Sequence, residues 1–246
     1  MPGPAMMSAS GPMMTTSGQK KPAERNEHRR HRITFGTSRS LAYVSVLELG
    51  LIWERSLRRA QVPLKYSQGY NPRPRMHFAA PLPVGCGSEA DLLDVELTEG
   101  RSSVAIARAL DGKMPVDLVL VEVTPVSDGA PALSEQLVET EYRVWIKGVG
   151  RAGLKEAVDA FLAQDTVDLP KRGRRHRGKT YNLRPLVKAL SIDAETPSPW
   201  EGLQMRLNAR PGATGRPDEV LKALGLEEVP RRCFRTRMLL DTSLGT

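Results

Sequence analysis

The chain has 246 residues, 40% of them hydrophobic, enough to bury a sizeable core as one large domain or two small ones. Lys and Arg number 36 against 28 Asp and Glu, giving a formal net charge of +8 and a pI of about 9.7, a moderate bias whose distribution matters more than its total. No hydrophobic run approaches a membrane span, and the separation of the two cysteines, Cys86 and Cys233, excludes a CxxC pair, a zinc finger or a thiol redox motif.

Residues 1–27 are rich in Met, Pro, Gly, Ser and Thr and lack apolar periodicity, so they read as a disordered extension within a basic tail over 1–30. They contain no apolar signal-peptide core, which together with the few cysteines favours a reducing cytoplasm and two reduced, structural thiols, with a disulfide as the alternative.

Residues 32–37 read as a strand and 41–60 as an amphipathic helix capped by Ser40, with Val44, Leu47, Leu51 and Ile52 on its apolar stripe. Residues 75–80 and 91–98 read as extended, the second with Leu93, Val95 and Leu97 alternating against a solvated face of Asp94, Glu96 and Thr98. A helix over 102–111 and a strand over 116–123 complete the order βαββαβ. After a linker around 127–134, a strand over 141–147 leads to a helix over 153–164 whose Leu154, Ala157, Val158, Phe161 and Leu162 share one face. Residues 180–194 suit strand or helix. Residues 202–209 alternate as a strand, Pro217 opens a helix that runs to Leu224 before Gly225, and 232–240 close as a strand. This is βαββαβ again. The expected fold is therefore α+β: two tandem ferredoxin-like units with antiparallel sheets, over 31–126 and 135–242, the second carrying a basic insertion loop.

The stretch from Lys65 to Pro83 crowds turn formers, aromatics, amides and cations into one loop. Asn71 and Arg73 each precede proline and are pushed toward extended backbone, while Gly69 can take a positive φ, so the loop is expected to be stiff. Tyr70 offers a ring for stacking, Gln68 and Asn71 paired donors and acceptors, and Lys65, Arg73 and Arg75 cations suited to phosphates or carboxylates.

The same stretch carries a family resemblance. Arg32-Ile33-Thr34-Phe35, the helical Glu54-Arg55-Ser56-Leu57-Arg58-Arg59-Ala60, Pro63 through Pro72, Phe78-Ala79-Ala80-Pro81-Leu82-Pro83-Val84-Gly85 and Leu93 through Thr98 resemble the radical SAM-associated, or radical SAM-linked, proteins of bacteria. Glu141-Tyr142-Arg143-Val144 is a fainter later echo. The resemblance implies a radical SAM protein as partner, with SAM, an iron–sulfur cluster and, in many such proteins, cobalamin held there. Two distant cysteines cannot supply the three closely spaced thiolates of such a cluster, so no cofactor or metal is expected on this chain.

Three basic clusters stand out. Arg25, Arg29, Arg30 and Arg32 lead into the first strand beside His28 and His31. Lys171, Arg172, Arg174, Arg175, Arg177 and Lys179 are uninterrupted by any acid. In the third, Arg231, Arg232, Arg235 and Arg237, the last two would share one face of the final strand and could track phosphates. With Arg58, Arg59, Arg73 and Arg75 these clusters favour a polyanion, since each neutralised phosphate releases counterions. RNA is the economical choice, with no DNA or membrane partner. Four Phe, three Trp and five Tyr show no obvious exposed triplet on a sheet, so loops and arginines are expected to do most of the binding.

The leading expectation is a non-catalytic adaptor that binds tRNA or rRNA through Lys65, Gln68, Tyr70, Asn71, Arg73 and Arg75 and through the 171–179 cations, and presents it to a radical SAM enzyme. One alternative is an RNA-processing enzyme using His77 as general acid or base near Tyr70 and Lys65. The other is a protein-only scaffold that uses the apolar segment from Ala79 to Val84.

Overall fold

The computed structural model describes residues 28–171, 173, 178–241 and 243. In chain order its elements are β1 (His28–Thr37), α1 (Val46–Arg59), β2 (Met76–Phe78), β3 (Cys86–Arg101), α2 (Ser103–Leu110) and β4 (Leu118–Val126). A one-turn helix α3 (Leu133–Gln136) then leads into β5 (Leu137–Lys147), α4 (Arg151–Leu162), a ribbon of β6 (Asp168–Pro170) and β7 (Thr180–Asn182), β8 (Val187–Asp193), β9 (Trp200–Arg210), β10 (Ala213–Thr214), α5 (Pro217–Ala223) and β11 (Arg231–Leu240). The basic tail expected over 1–30 lies outside the described residues as far as residue 27, and His28 to Arg30 already belong to β1.

The first half pairs its strands in the order β4-β1-β3-β2 and the second in the order β11-β5-β9-β8, with every pairing inside a half antiparallel. Each half is thus a ferredoxin-like βαββαβ unit. The two sheets are not separate, however. β11 pairs in parallel with the start of β3, matching Cys233 with Cys86, Phe234 with Gly87 and Arg235 with Ser88, so nine strands form one sheet.

The helices pack on one side of it. Ile33, Phe35, Leu93, Val95 and Leu97 meet Leu49, Trp53 and Leu57 of α1 and Ile106 and Leu110 of α2. In the second half Val144, Ile146, Leu203, Met205 and Leu207 meet Leu154, Val158 and Phe161 of α4 and Val220 and Leu221 of α5. Burying each of these side chains contributes roughly 1.5–3 kcal/mol.

α1 departs from the sequence expectation at both its start and its face. Ser45 and Glu48 form a capping box, the Ser45 Oγ accepting from the Glu48 N–H and the Glu48 carboxylate from the Ser45 N–H, so the helix starts at Val46. Those bonds hold the Glu48 carboxyl below its ordinary pKa. Ser40 instead lies in a 3-10 turn and donates to Asp117. The buried stripe is Leu49, Trp53, Ser56 and Leu57, spaced i, i+4, i+7, i+8, whereas Leu47 is 79% exposed.

The seam between the halves is locked by side chains. Cys86 and Cys233, expected as separate thiols, stand opposite each other in the parallel register with Cα atoms 4.6 Å apart and form a disulfide. Beside them Arg235 is fully buried and donates to both oxygens of Asp91 at 2.7 Å and to the carbonyls of Pro81 and Ala80. Ser88 donates to the same carboxylate. Burial works against the charge on Arg235, but the Asp91 carboxylate outweighs it and raises its pKa above the ordinary arginine range. Arg235 therefore cannot track phosphates with Arg237, and an irregularity in β11 between the two puts Arg237 at the surface.

Candidate functional site

The motif loop is an excursion from the edge of the first half, closed by its own backbone. The Lys65 N–H donates to the Glu96 carbonyl, the Arg75 N–H to the Lys65 carbonyl and the Ser67 N–H to the Arg73 carbonyl, at 2.7–2.8 Å. The Ser67 hydroxyl accepts from the Arg73 N–H at 3.0 Å. At the base, Glu96 accepts from Lys65 at 3.2 Å and from Arg75 at 3.1 Å. Burial pushes the Glu96 pKa up, but these two cations together outweigh it and leave the carboxyl below its ordinary value. At the tip, where Gly69 takes a φ of 153°, Gln68, Tyr70, Asn71 and Arg73 are all exposed, Tyr70 completely. Lys65 and Arg75 are thus part of the support, and the other four side chains are presented to solvent.

The basic loop caps the β6–β7 ribbon, which the Lys171 N–H closes by donating to the Lys179 carbonyl at 2.8 Å. Leu169 and Tyr181 pack the ribbon onto the second core. Lys171 and Lys179 are exposed; Arg172, Arg174, Arg175 and Arg177 lie outside the described residues. Among the described residues no hydrogen bond or ion pair joins this loop to the motif loop.

His77 lies on the short β2, opposite Asp94 and exposed. Among the described residues no hydrogen bond orients its ring. Asp94 itself, expected on a solvated face, is buried: Arg32 grips both its oxygens at 2.8 and 3.1 Å and Arg30 adds a bond at 2.9 Å. The covering segment is 127–136. Arg30 donates to the carbonyls of Ala130 and Pro131, and Gln136 packs beside Arg32 and donates to Pro131. In the apolar segment from Ala79 to Val84, Ala79 is buried and Pro81 and Val84 are exposed; Ala80 to Val84, with Arg216, Arg231, Arg235 and Tyr142, line a cleft of about 700 Å³. Among the described residues no cluster of His, Cys, Asp or Glu could hold a metal ion.

One surface was not anticipated. On the helix-free side of the second half, Trp145 of β5, Trp200 of β9 and Phe234 of β11 are half-buried. The Trp145 and Phe234 rings meet edge-to-face at 5.3 Å, and the Arg232 guanidinium lies 4.9 Å over the Trp200 ring. Phe234 fits because its parallel partner is Gly87, where a Cβ would come within 3.2 Å of the ring. Beside the rings is an open hollow of about 400 Å³ lined by Arg143, Ser191, Gln204, Arg206, Glu141 and Arg237. The three rings come from three strands far apart in sequence, so only the strand register reveals them; alternation within 141–147 and 202–209 was the available hint.

The fold and these surfaces define an α+β protein of two ferredoxin-like units spliced edge to edge, with exposed polar loops and one open sheet face. The chain belongs to the DUF2344 family of uncharacterized proteins conserved in bacteria, whose model matches residues 30–217. No curated protein matches it in sequence. Among solved structures it is similar to a chain of a Cbf5-Nop10-Gar1 complex, with a TM-score of 0.47, 10% identity, and coverage of 85% of this chain and 48% of that one. It is also similar to a chain of the archaeal box H/ACA sRNP Nop10-Cbf5 complex, with a TM-score of 0.43, 12% identity, and coverage of 89% and 50%. The protein therefore spans about half the length of these two chains.

Proposed function

We propose that this protein is a non-catalytic accessory protein that binds RNA, tRNA or rRNA, and presents it to a radical SAM enzyme. The partner would hold SAM, the iron–sulfur cluster and, as in many such proteins, cobalamin, as the family resemblance of the Lys65 to Pro83 stretch implies. The observation that carries the reading is the motif loop. Its backbone is fixed by hydrogen bonds and by Glu96, while Gln68, Tyr70, Asn71 and Arg73 are left exposed at its tip. A fully exposed tyrosine between two amides adds nothing to a core, and a pre-ordered tip loses little entropy on binding. Lys171 and Lys179, at the mouth of the second basic loop, add sequence-independent affinity for phosphates.

Crosslinking and immunoprecipitation of the tagged protein, with RNA sequenced and proteins identified from one sample, tests this. The expected result is one enriched RNA class together with a radical SAM protein, both weakened by Tyr70→Ala with Arg73→Ala. Recovery of neither would end the reading. Recovery of the protein without RNA, insensitive to salt, would favour a scaffold, for which the exposed apolar side chains Tyr43 and Val84 at the rim of the cleft of about 700 Å³ are available.

A further inference from the structure

We propose that the helix-free face of the second half is a binding site for single-stranded RNA, with bases stacking on Trp145, Trp200 and Phe234 and phosphates reaching Arg232 and Arg237. The proposal rests on the RNA-binding reading above and gives it a second surface, separate from the motif loop.

Three observations carry it. First, two of the three tryptophans are spent on a sheet surface, whereas Trp53 is fully buried in the first core. Trp145 and Phe234 fix each other edge-to-face and Arg232 lies on Trp200, so the rings are oriented before a ligand arrives. Every base has a π-face that such rings can take, and only unpaired bases expose it. Second, the adjoining hollow has the size of a nucleotide and the right groups. The Gln204 amide and the Ser191 hydroxyl can address base edges, and Arg143, Arg206 and Arg237 stand around them. Third, among the described residues five cations meet four carboxylates on this face, and the groups left without an ion pair are all cations. Glu139 and Glu141 take up Arg206, and Glu89 and Asp193 take up Arg143. Lys147, Arg232 and Arg237 make no ion pair among the described residues, and all three are exposed. A polyanion with stackable bases complements that remainder; an acidic protein would satisfy the cations but not the rings.

The test is a fluorescence titration of the full chain with polyuridylate, which has little secondary structure. Stacking should quench the emission of Trp145 and Trp200, because Trp53 is sealed in the core. Trp145→Ala and Trp200→Ala should each lower affinity roughly 5- to 100-fold. Arg237→Glu, at an exposed position that leaves the fold intact, should weaken binding and reduce its salt dependence. Unchanged affinity in Arg237→Glu and in both tryptophan variants, with binding lost in Tyr70→Ala, would overturn this site and leave the RNA reading standing. No binding of polyuridylate or of cellular RNA by the wild type would overturn both. Tighter binding of polydeoxythymidylate than of polyuridylate would overturn the assignment to RNA.

Discussion

The two halves share one strand order and one placement of helices, yet they treat the opposite face of the sheet in contrary ways. In the first half the chain folds back over it: segment 127–136 covers Asp94, Arg30 and Arg32 hold its carboxylate, and Arg30 and Gln136 bond the covering backbone. In the second half the same face carries aromatic rings, arginines with and without an ion pair among the described residues, and an open hollow. A ferredoxin-like unit needs a helix layer on only one side, so its second face is free for structure or for contact. In this chain one copy is covered by its own chain and the other is left open.

The largest effect should come from the seam that both halves share. Arg235→Ala strands the buried Asp91 carboxylate and should cost about 3–5 kcal/mol in urea unfolding, with both halves losing stability together. Melting of one half alone would show that the single sheet is two independent units.

The next effect separates the two faces. Asp94→Ala leaves Arg30 and Arg32 unpaired under segment 127–136 and should cost roughly 3 kcal/mol. Glu141→Ala takes one of two carboxylates from the half-exposed Arg206 on the open face and should cost under about 1 kcal/mol. Equal costs would erase the distinction between a closed and an open face.

Smaller still is the support of the motif loop. Glu96→Gln should cost about 0.5 kcal/mol, less at high salt, while raising hydrogen exchange at Lys65 and Arg75. The folded pKa of Glu96 lies below its ordinary 4.5, so its contribution is complete above pH 4.5 and is lost as pH falls through the folded value. The smallest effect is at His31, buried on the helix side, where desolvation outweighs the bond to the His28 carbonyl and lowers its pKa from 6.5. The unfolded state then binds the proton more readily. Stability should fall as pH drops below 6.5 toward the folded pKa, and His31→Gln should flatten that slope.

The strands and helices were largely legible because alternation and caps are local. Segment 91–98 showed the period of β3, Pro217 and Gly225 bracketed α5, and the ambiguous 180–194 resolves into β7, a 3-10 turn and β8. α1 was misread because apolar residues occupy most of its circumference, and only the sheet decides that Trp53 rather than Leu47 faces inward. Asp94 looked solvated because alternation names a face without saying what later chain will lie on it. Arg235 looked like a phosphate ligand for the same reason. The exposed tip of the motif loop followed from its proline, glycine and amide chemistry. The aromatic face did not, because it exists only in the register of three strands.

The seam also sets an order of assembly. Asp91 waits for a guanidinium 144 residues farther along the chain, and β3 waits equally long for its parallel neighbour. Until β11 is made, the nascent first half carries a raw strand edge and a carboxylate without its cation. Closing so long a loop is among the slower steps available to a folding chain. A chain that ends before Arg235 would lack both the cation of Asp91 and the parallel neighbour of β3, and is expected to aggregate through that open edge.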